Sequence, residues 1–79
     1  MFVSVKYHKR ELNGFGGSAY TYETHLPLAV GTVVAAPVKN RGTGGTELKK
    51  AVVVEVDLPE PSFPCSVITE TWEEAEGDA

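Results

Sequence analysis

Apolar residues recur mostly at every second position in short runs, a spacing that predicts strands rather than helices. Over residues 2–7, Val3, Val5 and Tyr7 share one face while Ser4 and Lys6 take the other. Residues 13–18, Asn-Gly-Phe-Gly-Gly-Ser, break the alternation. They are expected to form a flexible loop, because glycine has no side chain to resist positive φ. A second strand is expected over 19–23, with Tyr20 and Tyr22 on a common face. Residues 26–31 then cover the barrel mouth and turn into a third strand over 32–38, where Pro37 predicts an edge or a bulge because proline cannot donate to a ladder.

Residues 39–47 hold three glycines and read as a second mobile loop. The valine-rich stretch 48–56 is the strongest strand, with Val52, Val54 and Val56 predicted inward and Glu55 and Asp57 toward water. Pro59, Pro61 and Pro64 make the next segment an extended connector. A short closing strand over 67–71 packs Ile68, and Trp72 with it, on the barrel. Residues 73–79 are acidic and poor in large apolar groups, so a disordered tail is expected, with a short helix starting near Thr71 as the alternative. The expected architecture is all-β: one five-stranded, SH3-like open barrel over residues 1–72, followed by the tail.

The length of 79 residues fits one domain. A domain of this size buries only about 60% of the surface its unfolded chain exposes, which leaves little room for a deep pocket. Cys65 is the sole cysteine, so neither an internal disulfide nor a paired-cysteine metal site can form. A reducing cytoplasm is the expected setting. The opening residues acquire charge at Lys6, too early for a signal peptide. No apolar run approaches the roughly 20 residues of a membrane helix, so no membrane partner is expected.

Charge changes the picture more than size does. The first 50 residues hold all seven bases against three acids, a net of +4, whereas residues 51–79 hold eight acids and no base. A basic front and an acidic rear predict a surface facing a polyanion. Uneven scatter of charge on a small soluble domain is the plainer alternative.

Candidate chemistry is sparse. His8, His25 and Cys65 stand in no nucleophile or ligand motif, so neither an enzyme nor a metal or other cofactor is expected. Gly14-Phe15-Gly16-Gly17 and Gly42-Thr43-Gly44-Gly45 lack the Lys-Ser/Thr and the helix of a phosphate loop. Cations are the better candidates. Lys6, Lys9, Arg10, Lys39, Arg41, Lys49 and Lys50 could track a phosphate backbone. Phe15, Tyr20 and Tyr22 could stack bases, although alternating tyrosines on a strand are also common core residues.

The run Tyr20-Thr21-Tyr22, then Leu28 to Pro37 with Gly31 at its turn, then Ala51 to Val56 and Ser66 to Glu70 resembles the N-terminal DNA-binding domain of the replication-restart helicase PriA. The resemblance spans most of residues 2–72. It implies a DNA 3′-end pocket formed by Tyr20, Thr21, Tyr22, Gly31 and the loop beginning at Lys39. Thr21 stands where that family carries an acidic residue, and a threonine accepts hydrogen bonds more weakly. Without the helicase, the resemblance implies a freestanding, PriA-like relative of phage or mobile-element kind. The expected function is non-enzymatic nucleic-acid binding or replication accessory work, with single-stranded or 3′-tailed DNA and replication or phage proteins as partners. The alternative is a protein–protein interaction or structural module.

Overall fold

The computed structural model describes residues 1–40 and 42–77. They form β1 (Phe2–Lys9), a 3-10 turn (Arg10–Leu12), β2 (Gly14–Phe15), β3 (Tyr20–Thr24), β4 (Val33–Lys39), β5 (Thr46–Leu58), β6 (Val67–Ile68) and α1 (Trp72–Gly77). The sheet runs β4-β5-β1-β3-β6, with β2 paired only to β1. All pairings are antiparallel except β3 with β6. The sheet curls until its two ends meet: Val34 bridges Thr71, and the Ala35 N–H donates to the Glu70 carbonyl at 3.2 Å. The result is the expected all-β small barrel, nearly closed along one seam.

Inward-facing residues fill its interior. Val3, Val5, Tyr22, Leu28, Val34, Ala36, Ala51, Val53 and Ile68 form one continuous core, with Tyr7, Leu26 and Val56 packed against it. Thr24 is also fully buried, and its hydroxyl satisfies both capacities by donating to the Ile68 carbonyl at 2.9 Å and accepting from the Leu26 N–H at 3.1 Å. Among the described residues, every buried side-chain nitrogen or oxygen has a partner.

Several local expectations are corrected. In β5 the inward residues are Ala51 and Val53, not Val52 and Val54. A run in which every position is apolar gives alternation nothing to choose between. Val56 does turn inward, because β5 bulges. Val5 pairs with Val53, but Ser4 pairs with Glu55 and Phe2 with Leu58, so β5 carries an extra residue at Val54 and another before Leu58. Each bulge resets the parity of the strand and bends it. Asp57, at φ 54°, marks the second one.

Pro37 lies on an end strand of the sheet order, as a proline there predicts, and β4 runs through it to Lys39. The Ala35 N–H points at the seam, so two residues on the Pro37 nitrogen faces the seam too, where no ladder partner is lost. The 13–18 segment is not an open loop throughout: Gly14 and Phe15 pair with Lys9 and His8. Nor is the β4–β5 turn unstructured. The Asn40 carboxamide accepts from the Gly42 N–H at 2.8 Å and donates to Glu47 at 2.6 Å, while its main chain bonds Gly44 and Gly45.

The expected acidic tail is helical from its start. Thr71 caps α1: its hydroxyl accepts from the Glu74 N–H at 3.2 Å, and the Glu74 carboxylate accepts from the Thr71 hydroxyl at 3.0 Å. With the Thr71 N–H also directed at that carboxylate, at 3.5 Å, Thr71-Trp72-Glu73-Glu74 is a capping box, and the alternative of a short helix starting near Thr71 is the one observed. Positions 78 and 79 of that expected tail lie outside the described residues.

Candidate functional site

The topology gathers five strand ends at one end of the barrel. β1 and β4 finish there, and β3, β5 and β6 begin there. Two clefts open at this end and share Ser66 in their walls. One, of about 340 Å³, lies among Tyr7, Tyr20, Thr21, Tyr22, Phe63 and Pro64. The other, of about 390 Å³, lies along the open part of the seam between Pro37 and Lys39 on β4 and Val67 on β6.

Aromatic residues build the first cleft. The Tyr7 and Tyr20 rings lie 5.1 Å apart at 32°. Tyr20 is 49% exposed and Phe63 56%, so both present ring surface to solvent. Tyr22, only 6% exposed, is core rather than platform, so of the two tyrosines on the β3 face one is buried and one is free to stack. A relay runs beneath them: the Tyr7 and Tyr22 hydroxyls are hydrogen-bonded, and the Tyr22 hydroxyl reaches the Pro37 carbonyl at 3.1 Å across the seam.

Burial first, and then the Tyr7 hydroxyl and the charges its neighbours would carry, push the Tyr22 phenol well above its ordinary range. Deprotonation of the unfolded chain near pH 10 therefore has no folded counterpart at this residue until much higher pH. An unfolded state that has lost a proton the native state keeps gains on it as pH rises. Stability from Tyr22 is thus complete below about pH 10 and declines above it. Denaturant titrations between pH 9 and 11 should show this fall in wild type and a shallower one in Tyr22→Phe.

Cations stand near the aromatic cleft without lining it. The Lys49 ammonium stands over the Tyr7 ring, 6.0 Å from its centroid. Lys39 lines the neighbouring cleft. Lys9 ends β1 and Arg10 opens the following turn, both exposed at this same end. The charge split seen along the chain is carried into space only in part, because Glu11 and Glu47 lie at the basic end too. β5 alone runs from Lys49 and Lys50 near this end to Glu55 and Asp57 toward the other.

The structure thus brings together Lys9, Arg10, Phe15, Tyr20, Thr21, Lys39 and Lys49 at one end. Phe15 sits on the β1–β2 hairpin with its ring edge-on to His8, at 5.3 Å and 80°. Three residues fall elsewhere. Lys6 points from β1 to the outer wall, and its side chain is half-buried. Lys50 is on the outer face of β5, beside Trp72 and Glu73 in a separate cleft of about 410 Å³. Gly31 forms the turn before β4, at φ 97°, and gives its N–H to the Val53 carbonyl at 2.8 Å. That turn lies at the other end of β4 from Lys39, so it shares no cleft with Tyr20. Arg41 lies outside the described residues.

Sequence reasoning missed Tyr7, Phe63 and the Pro37 carbonyl as parts of this site. Tyr7 was legible as an inward residue but not as the last one before the barrel opens. Phe63 carried a usable signal, since an aromatic between prolines in a connector has no ladder to bury it. Among the described residues, no three His, Cys, Asp or Glu side chains come together as metal ligands would, and no helix is long and apolar enough to cross a membrane. The chain matches no protein-family model, no curated protein and no solved structure.

Proposed function

We propose that this protein is a non-enzymatic nucleic-acid-binding domain that takes single-stranded chains at the basic end of its barrel. The observation that carries this reading is the pairing of two exposed aromatics, Tyr20 and Phe63, in one cleft beside the cations Lys49 and Lys39. A base stacked on an aromatic ring contributes about 1–3 kcal/mol without regard to its identity. Lysines at the rim contact phosphates and release counterions. Duplex DNA keeps its bases stacked inside and offers such a cleft only its backbone. The resemblance to the DNA-binding domain of PriA agrees with this reading. Its 3′-end pocket does not transfer as a unit, because Gly31 stands apart from Tyr20 and Thr21 replaces the acidic residue.

Fluorescence anisotropy with labelled single-stranded, 3′-tailed and duplex oligonucleotides over a salt series tests the proposal. Single strands should bind most tightly, and affinity should fall log-linearly with salt. Absence of binding at low salt would remove the reading. A second reading rests on the same cleft: an aromatic groove edged by Pro64 also suits an extended peptide, and the nearby cations would require that peptide to be acidic. Binding of acidic peptides with indifference to DNA would favour it.

A further inference from the structure

We propose that the Tyr7 oxygen, in the wall of the aromatic cleft, accepts hydrogen bonds but does not donate them, and so favours nucleobases that place an amino group against it. The inference rests on the nucleic-acid reading above and adds a preference to it. It follows from which groups in the relay can hold a proton. The Pro37 carbonyl has only lone pairs, so in the 3.1 Å contact the Tyr22 hydroxyl must be the donor. A hydroxyl has one proton, and that of Tyr22 is then spent. The hydrogen bond between the two tyrosines must therefore be donated by Tyr7. Among the described residues no other group bonds the Tyr7 oxygen, so it keeps an unused lone pair and has no proton to offer.

That oxygen belongs to a residue that lines the cleft and is half-buried beside the Tyr20 ring. A base stacked on Tyr20 or Phe63 would bring its polar edge toward it. An exocyclic amine would complete the acceptor. A ring carbon in the same place would leave the acceptor unmatched. The barrel itself sets this polarity, because Pro37 is on a strand whose free edge faces the seam and its carbonyl is held there by the β4–β5 ladder. Lys49, over the ring face of Tyr7, remains available to phosphate.

A neutral hydrogen bond contributes a net of about 0.5–1.5 kcal/mol, which corresponds to roughly a two- to twelvefold difference in affinity. The probes are oligonucleotides that differ only by the amine: oligodeoxyadenylate against the same length of 2′-deoxynebularine, and oligodeoxycytidylate against 2′-deoxyzebularine. Wild type should bind the amino member of each pair about three- to tenfold more tightly. In Tyr22→Phe the Tyr7 hydroxyl is released to rotate and can donate to a ring nitrogen that both members of a pair carry, so both ratios should shrink; because both tyrosines line the cleft, the readout is the ratio within each pair and not the absolute affinity. Tyr7→Phe removes the acceptor itself and should bring both ratios to about one, and circular dichroism would check that each variant folds. Equal affinities for both pairs in wild type would overturn the proposal while leaving the nucleic-acid reading intact. Ratios preserved in both variants would also overturn it. Failure to bind any oligonucleotide at low salt would instead remove the nucleic-acid reading on which it stands.

Discussion

Ile68→Ala is expected to destabilise the domain by about 2–5 kcal/mol, the usual cost of truncating a fully buried isoleucine. At 0.05–0.15 kcal/mol per residue, a chain this long has roughly 4–12 kcal/mol in total, so the loss would be a large fraction. Ile68 has no exposed surface, and it sits on a strand of only two residues. Main-chain pairing over so short a span cannot hold β6 by itself. The side chain, in the core with Val34 and Tyr22, anchors it together with the Thr24 hydroxyl on its carbonyl. Barrel closure depends on that anchor, because Glu70 and Thr71, which bond β4 across the seam, follow directly. Thermal unfolding should shift down by roughly 10–25 °C for a change near 3 kcal/mol in a domain of this size. Val67→Ala, one residue away but 39% exposed, should cost no more than about 0.5 kcal/mol. A similar small cost at Ile68 would mean that β6 is not what closes the barrel.

Alternation made most of this barrel legible. Val5 and Tyr22 each sit between more polar neighbours, and each is inward. Where polar punctuation was missing, parity was lost: nothing in Val52-Val53-Val54 told which member faces the core, and the bulge at Val54 has no local sequence marker. The short helix starting near Thr71 was legible only as the alternative to a disordered tail, since the acidic composition behind it argues against order while its cap depends on Thr71 and Glu74. The candidate site was half legible. Cations and Tyr20 could be named because charge and ring type are properties of single residues. Their meeting could not, since it depends on which strand ends coincide, a matter of register between residues as distant as Tyr7 and Phe63. Gly31 was placed with Tyr20 by resemblance, and the turn it forms lies at the far end of β4. The relay from Tyr7 through Tyr22 to Pro37 joins three strands and was invisible for the same reason.

Replacing Lys39 and Lys49 together by glutamate is expected to weaken binding of single-stranded DNA by about ten- to a hundredfold at low salt, two phosphate contacts being lost and two repulsions gained. The same substitutions at Lys6 and Lys50 change the net charge identically, from −4 to −8. That second pair lies on the outer wall, with Lys50 beside Glu73 rather than beside the aromatic cleft. If binding is local, the outer pair should cost only about threefold, an effect of the overall field alone. The salt slope separates the two cases further. Each phosphate contact on a single strand contributes about 0.7 to the slope of log affinity against log salt, so losing two should flatten it by about 1.4. The outer pair should leave the slope near its wild-type value. Equal losses for the two pairs would mean that the chain attracts DNA through general charge, with the barrel end having no privilege. A double substitution at Lys39 and Lys49 with unchanged affinity would separate these lysines from the ligand altogether. A loss confined to that pair would tie the phosphate track to the same end of the barrel as Tyr20 and Phe63, so that one bound strand meets cation and ring together.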